Sequence, residues 1–232
     1  MRILLIADIH SNWPALEAIQ EQFDVCLCLG DIVDYGTHPK ECIAWVRKHA
    51  KHSIRGNHDH GVAQKVPSLG SNGFRFLTQV SRPYHSDLLT VMERQYLAKL
   101  PITKTMTLAG KRFFLVHATP RDPLDEYLPL EAAAWEKRLP GVEADFLCVG
   151  HTHTQFTLQV GKTTIINPGS VGLPRDGDPR AGYAIWTPEG VELKRIEYDV
   201  ERTIRLVDES PFPDEAKKML ADVYRNGKLT QK

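Results

Sequence analysis

The chain opens on a short unbroken apolar run, Ile3-Leu4-Leu5-Ile6-Ala7, which stops at Asp8-Ile9-His10. A run of this length without alternation predicts a strand covered on both faces. Trp13, Leu16, Ile19 and Phe23 then recur at helical spacing around Pro14, a residue that a first helical turn tolerates. Val25 to Leu29 predicts a second strand. Pro39 opens a second helix with Ile43, Val46 and Ala50 inward, and His52 to Arg55 predicts a third, short strand. The order β-α-β-α-β implies parallel strands joined by right-handed crossovers.

From Asp59 to about Ser86 the pattern dissolves. Pro67, Gly70, Gly73 and Pro83 punctuate it, and Phe74, Phe76, Leu77 and Val80 predict only a short amphipathic piece. The reading is a helical or looped excursion at about 60–86, a candidate lid. Thr90 with Glu93 forms a capping box for a helix that ends near Leu100, where Pro101 stops it.

Beyond this point hairpins dominate. Thr105 to Leu108 with Arg112 to Val116, Phe156 to Val160 with Thr163 to Ile166, and Tyr183 to Thr187 with Val191 to Tyr198 each flank a turn sequence. Leu130 to Leu139 is predicted helical, Phe146 to Val149 a buried strand, and the tail from about 200 to 232 helical, with a polar, frayed end over 227–232. The expected architecture is α/β, with an α+β-like second half. Two sheets pack face to face with helices outside, in a single domain over 1–232.

The polar groups fall where the strands end. Besides Asp8 and His10, Val25 to Leu29 runs into Gly30-Asp31, and Ser53-Ile54-Arg55 into Gly56-Asn57-His58-Asp59. Arg112 to Val116 runs into His117, and Phe146 to Val149 into Gly150-His151-Thr152-His153. In open α/β sheets the functional crevice lies beyond the carboxyl ends of the strands. Singly, each group has an ordinary explanation: Asp-x-His can cap, Gly-Asp can turn, a lone His can pack. Five strand ends that all deliver metal-compatible groups are hard to explain by packing.

Composition narrows the chemistry. The 232 residues and 42% hydrophobic content support a sizeable core. The 29 basic and 29 acidic residues balance, which argues against strong affinity for nucleic acid or an anionic membrane. No apolar run approaches the roughly 18 residues of a membrane span. The N-terminal run is cut short by Asp8 and His10, too early for a signal peptide, so a cytoplasmic location is expected. Cys26, Cys28, Cys42 and Cys148 form no C-x-x-C pair and read as small buried hydrophobes.

The candidate ligand set is Asp8, His10, Asp31, Asn57, His117, His151 and His153. Two carboxylates, one amide and four imidazoles exceed the needs of one catalytic ion and suit two ions that share a carboxylate. Mixed nitrogen and oxygen ligation favours Mn, Fe, Zn, Co or Ni, manganese first, over Ca or Mg. Two such ions about 3.5–4 Å apart can hold a hydroxide and clamp a phosphoryl oxygen.

In these residues the chain resembles the calcineurin-like metallophosphoesterases, over nearly its whole length. The family pattern is Asp-x-His, Gly-Asp, Gly-Asn-His-Asp or Glu, a lone His, then Gly-His-x-His. All five occur in order, as Asp8/His10, Gly30-Asp31, Gly56 to Asp59, His117 and Gly150 to His153. The resemblance implies a four-layer αββα sandwich of two mixed sheets. It implies that Asp8, His10, Asp31 and His153 hold one metal, that Asp31 bridges, and that Asn57, His117 and His151 complete the second site. His58 would then act as general acid or orient the phosphate, with Asp34 a candidate to orient His58. Asn12 would serve behind the ligands or as a helix cap.

Within the family the chain is most similar to small bacterial and archaeal phosphodiesterases, a likeness that extends to Asn167-Pro168-Gly169-Ser170 and Pro174-Arg175-Asp176. It departs from the Ser/Thr protein phosphatases, whose Gly-Asp-x-x-Asp-Arg-Gly carries a phosphate-gripping arginine. Here Asp34 is followed by Tyr35 and Gly36. Arg55, Arg121, Arg175 and Arg180 are candidate substitutes, Arg175 first. His60 and His85 are read as surface or lid residues, and His38, His49 and His52 as helix-end histidines. The expected activity is phosphodiester hydrolysis on a small-molecule substrate. A nucleotide or dinucleoside polyphosphate hydrolase and a phosphomonoesterase are the enzymatic alternatives, and a non-catalytic metal-binding scaffold is the alternative of another class. A homodimer through the 65–85 region or the tail is the expected form of any self-association.

Overall fold

The computed structural model describes residues 1–230. In chain order the elements are β1 (Ile3–Ile6), α1 (Trp13–Glu17), β2 (Val25–Cys28), α2 (Pro39–His49), β3 (Ala50–Ser53), α3 (Asn57–Ala63), α4 (Gly73–Leu88) and α5 (Val91–Lys99). There follow β4 (Thr103–Leu108), β5 (Lys111–Val116), α6 (Ala132–Glu136), β6 (Phe146–Cys148), β7 (Gln155–Val160) and β8 (Thr163–Pro168). The chain closes with β9 (Ala181–Thr187), β10 (Gly190–Ile196), α7 (Val200–Asp208) and α8 (Asp214–Asn226).

Among the described residues two five-stranded sheets form, ordered β10-β9-β1-β2-β3 and β4-β5-β6-β8-β7. Both are mixed. β1, β2 and β3 run parallel in the first, and β5, β6 and β8 in the second, with antiparallel partners at the flanks. Strand periodicity sorts the apolar runs onto two faces. Ile3, Leu5, Leu27 and Leu29 meet Phe113, Leu115 and Ile166 between the sheets, with Trp186. Leu4, Ile6, Cys26 and Cys28 point the other way, onto Leu16, Ile43 and Val46 of α1 and α2. Val116, Leu147 and Val149 cover the outer face of the second sheet with Trp135 of α6. Burial on both faces is why these strands read as unbroken apolar runs. The layers are helix, sheet, sheet, helix. All four cysteines are buried and unpaired. Among the described residues no helix is long and apolar enough to cross a membrane.

Several elements differ from the sequence reading. The third strand lies at Ala50–Ser53, because β3 pairs with β2 through an irregular register that starts at Cys26↔Ala50. His52 therefore sits in a strand rather than at a helix end. The helix expected over 130–139 is confined to Ala132–Glu136.

The largest difference is α4, a 16-residue helix that continues through Pro83 where a short piece was expected. Its buried residues are Leu77, Thr78, Ser81, His85 and Ser86. They hold helical spacing, but most are polar, so the apolar pattern does not reveal them. His85, expected at the surface or in a lid, is fully buried. At the C-terminus Gly227 caps α8 with φ +62°, and the backbone N–H of Thr230 donates to Asp222 at 2.6 Å. Residues 231 and 232 of the expected frayed end lie outside the described residues.

Candidate metal centre

The polar residues that end the strands adopt backbone that L-residues usually avoid. Ten non-glycine residues among those described have positive φ, and eight lie here: Asp8, His10, Ser11, Asp31, Asp34, Tyr35, His151 and His153. Each such residue costs of order 1–3 kcal/mol and persists only where its surroundings fix it. The fixing bonds run between strand ends. Asp8 N donates to Gly30 O at 3.0 Å, His10 N to Asp31 O at 3.0 Å, Ser11 N to Ile32 O at 2.9 Å, and Gly150 N to His117 O at 2.8 Å. The glycines of the motifs make this approach feasible. A Cβ on Gly56 would lie 2.0 Å from Asp31 Oδ1, and one on Gly30, which has φ +94°, 2.5 Å from Gly56 N.

The imidazoles are oriented from behind. His10 Nδ1 donates to Val33 O at 2.8 Å, His117 Nδ1 to Leu29 O at 2.8 Å, and His153 Nδ1 to Leu173 O. A carbonyl only accepts, so each ring carries its proton on Nδ1 and turns the lone pair of Nε2 inward. These lone pairs converge. His10 Nε2 lies 3.1 Å from His153 Nε2, His153 Nε2 3.4 Å from Asp8 Oδ1, and His117 Nε2 3.1 Å from Asp31 Oδ2. Asp31 Oδ2 is also 3.8 Å from His10 Nε2. His151 is held the other way, with Nε2 on Asp125 O at 3.3 Å, which leaves its Nδ1 as the acceptor atom.

The donor set tests whether cations fit. Among the described residues, Asp31 Oδ2, His117 Nε2 and Asn57 Oδ1 are buried polar atoms with no hydrogen-bond partner. Orphaned acceptors at such depth are costly unless something positive neutralises them. Two groups within metal-ligand reach form, Asp8 with His10 and His153, and Asp31 with His117 and His151. His10, Asp31 and His58 make a third that shares members with both.

The titration behaviour is of a piece with this. Burial, abetted by the charge of Asp31 and opposed by His117, pushes the Asp8 carboxyl up to about 8. Burial holds His10 and His153 well below the usual imidazole range, so both stay neutral and free to ligate. For His117 burial acts downward, but the carboxylates of Asp31 and Asp8 outweigh it and raise the ring to about 10, so without a cation its Nε2 takes up a proton against Asp31, the proton that a metal ion would replace. Two buried carboxylates side by side call for positive charge, and mixed imidazole and carboxylate donors suit a divalent transition metal.

A further layer braces the candidate ligands. Asp59 accepts from the backbone N–H groups of Asp31 at 2.8 Å, Ile32 at 2.8 Å and Gly56 at 3.1 Å. Asn12 caps α1 by accepting from Ala15 N at 3.3 Å and donates to Gly172 O at 2.9 Å. Asn167 donates to Gly150 O at 2.8 Å, and Ser170 Oγ to Asp8 O at 2.7 Å.

His58 stands at the mouth of the cluster. Its Nδ1 donates to Asp34 Oδ2 at 2.8 Å, and its Nε2 lies 4.0 Å from Asp31 Oδ2. Burial would raise the Asp34 carboxyl, but the bond from His58 and the charges of His58 and Arg82 hold it below its ordinary value. His58 opens onto a cleft of about 500 Å³ that Asn57, His151, Tyr35, Phe74, Tyr127 and Arg175 help to line. The Arg175 guanidinium lies 3.9 Å over the Phe74 ring, Nη2 donates to Tyr35 OH at 3.3 Å, and its buried Nε has no hydrogen-bond partner among the described residues. Arg55 is spent on Ala98 O, Arg121 points toward Glu126 and Arg180 pairs with Asp178, so of the four arginine candidates Arg175 alone lines the cleft.

The structure thus gathers Asp8, His10, Asp31, Asn57, His58, His117, His151 and His153 around one centre, with Asp34 behind His58 and Arg175 across the cleft. Sequence reasoning did not find Arg82, His85, Tyr35 or Tyr127, whose ring lies 4.1 Å from that of His151. Tyr35 alone had a signal, its place next to Asp34.

Residues 1–190 match the model of the calcineurin-like phosphoesterase superfamily domain. Among solved structures, a metallophosphoesterase from Sphaerobacter thermophilus is similar at 33% identity and TM-score 0.80, covering 98% of this chain and 99% of that one. An uncharacterized protein of Methanocaldococcus jannaschii is 29% identical over 91% of this chain and 94% of its own length. The phosphodiesterase YfcE of Escherichia coli is 27% identical over 90% of this chain and 95% of its own length.

Proposed function

This chain belongs to the calcineurin-like phosphoesterase superfamily and is a hydrolase of phosphoric ester bonds; from that premise we propose that it is a phosphodiesterase built on two divalent cations. Asp8, His10, Asp31 and His153 would hold one ion, and Asn57, His117 and His151 the other, with Asp31 shared. When bound, the ions supply positive charge to phosphoryl oxygens and make a water acidic enough to attack at neutral pH. Mn, Fe, Zn, Co and Ni are the metals that such a donor set takes, and manganese is our first choice among them.

The residues of the chain divide the remaining work. Arg175 offers an unpartnered Nε and a guanidinium to a phosphoryl oxygen, the task that an arginine next to Asp34 would otherwise perform. Asn57 lines the cleft beside the ligands and steadies the charge that develops on phosphorus. His58 is held by Asp34 at Nδ1, so its Nε2 is the atom that delivers a proton to the departing alcohol oxygen as the P–O bond breaks.

The observation that carries this reading is the convergence of imidazole lone pairs and orphaned acceptors on one buried point. A scaffold without chemistry would have no need of His58 at its mouth, held on a buried carboxylate. The cleft volume of about 500 Å³ exceeds what one phosphate fills, which favours diesters or pyrophosphates of nucleotide size.

The test is His58→Ala in protein loaded with Mn. The rate on a diester with a poor leaving group, methyl phenyl phosphate, should fall by about 100-fold or more, the range of general acid catalysis, with bound metal unchanged. Full activity in this variant would remove His58 from the mechanism.

A further inference from the structure

The wall of the cleft opposite the ligands is α4, and α4 is bonded to the turn that carries Asp34. Ser81 Oγ accepts from Tyr35 N at 2.9 Å, His85 Nδ1 accepts from Asp34 N at 2.9 Å, and His85 Nε2 donates to Gly36 O at 2.7 Å. Ser81 and His85 are fully buried. Arg82 lies between them in sequence and reaches the carboxylate itself. Its Nε donates to Asp34 Oδ2 at 3.0 Å and its Nη2 to the same oxygen at 2.7 Å. That oxygen also accepts from His58 Nδ1 at 2.8 Å. The guanidinium and the imidazole therefore sit side by side on one atom, with Arg82 Nη2 3.4 Å from His58 Nδ1.

Little else holds the plane of this carboxylate. Asp34 Oδ1 has no hydrogen-bond partner among the described residues. The terminal torsion of an aspartate is soft, and a single bond from His58 would let carboxylate and ring swing together. Two donors from a rigid planar fork remove that freedom. The fork has a prepared seat. Arg82 Nη1 donates to Val66 O at 3.3 Å, and Gly61 of α3, the helix that carries His58, leaves room for the guanidinium. A Cβ on Gly61 would lie 2.3 Å from Arg82 Cζ.

We propose that Arg82 is the positioning residue for His58: it locks the Asp34 carboxylate so that the imidazole presents Nε2 to the leaving oxygen. The inference rests on the phosphodiesterase reading above, and it adds α4 to the machinery of that site. A ring displaced by about 1 Å from its working position loses on the order of 100-fold in proton delivery.

Methyl aryl phosphate diesters, with leaving groups from p-nitrophenol to phenol, test the assignment on the Mn-loaded full chain. An ester with a good leaving group needs no proton, and one with a poor leaving group does. Arg82→Met should lose about 10- to 100-fold on the phenol ester and less than about threefold on the p-nitrophenol ester.

A second readout does not depend on turnover. The Nδ1 proton of His58 in the metal-free protein, identified by its absence in His58→Ala, should give a downfield NMR signal that broadens or moves upfield in Arg82→Met. Gly61→Ala keeps every bonding group but fills the guanidinium's seat, and should reproduce both effects if Arg82→Met fails to fold. An equal loss for every leaving group, or an unchanged Nδ1 signal, would overturn the assignment. A wild-type protein that turned over no ester would instead defeat the phosphodiesterase reading, and the NMR signal would then decide the role of Arg82 alone.

Discussion

The two walls of the cleft are built on opposite plans. One wall is made of strand ends, where each candidate ligand follows on an apolar run and is turned inward by left-handed backbone at Asp8, His10, Asp31, His151 and His153. The other is made by α4, whose buried face carries Thr78, Ser81 and His85 and whose Arg82 reaches Asp34 from the side. The first wall puts chemistry at fixed points by paying in backbone strain. The second holds those points steady through side-chain bonds to the turn over 34–36. A function can thus be local in sequence on one side of a site and dispersed on the other.

The sharpest way to break this comparison is to remove the shared carboxylate. Asp31→Asn keeps an oxygen for the backbone N–H of His58, which now donates to Asp31 Oδ1 at 2.9 Å. It removes the charge that would serve both ions. The expected result is a loss of about three orders of magnitude in kcat/KM, the scale of several kcal/mol of metal assistance, with bound Mn below two per chain by elemental analysis. Two retained ions in this variant would show that the strand-end wall does not work through Asp31.

The helical wall should answer differently. Ser81→Ala strands the buried N–H of Tyr35, which costs about 1–3 kcal/mol. Urea unfolding should register that loss while metal content stays at the wild-type level. A drop in bound Mn would instead mean that the two walls cannot be separated.

The same contrast explains what could be read from the chain beforehand. Unbroken apolar runs such as Ile3 to Ala7 are legible because these strands are covered on both faces, and the groups that follow them are legible because they are adjacent in sequence. Helix α4 is only partly legible because Thr78, Ser81 and His85 occupy positions where a helix usually buries apolar residues. Arg82 gave no signal at all, since its partner Asp34 lies 48 residues away and the pairing exists only once α4 has docked. The third strand was displaced because an irregular register between Cys26 and Leu27 moves its pairing toward Ala50. Arg175 could be singled out by its loop position, yet its seat over Phe74 depends on the same helix.

The central claim is that the strand-end wall binds two cations and that hydrolysis depends on them. The most direct measurement is the rate of bis(p-nitrophenyl) phosphate hydrolysis as Mn is titrated into chelator-stripped protein. The account predicts no turnover above background at the start and a rise that saturates near two equivalents per chain. Full activity in the stripped protein, or a flat trace through the whole titration, would contradict it.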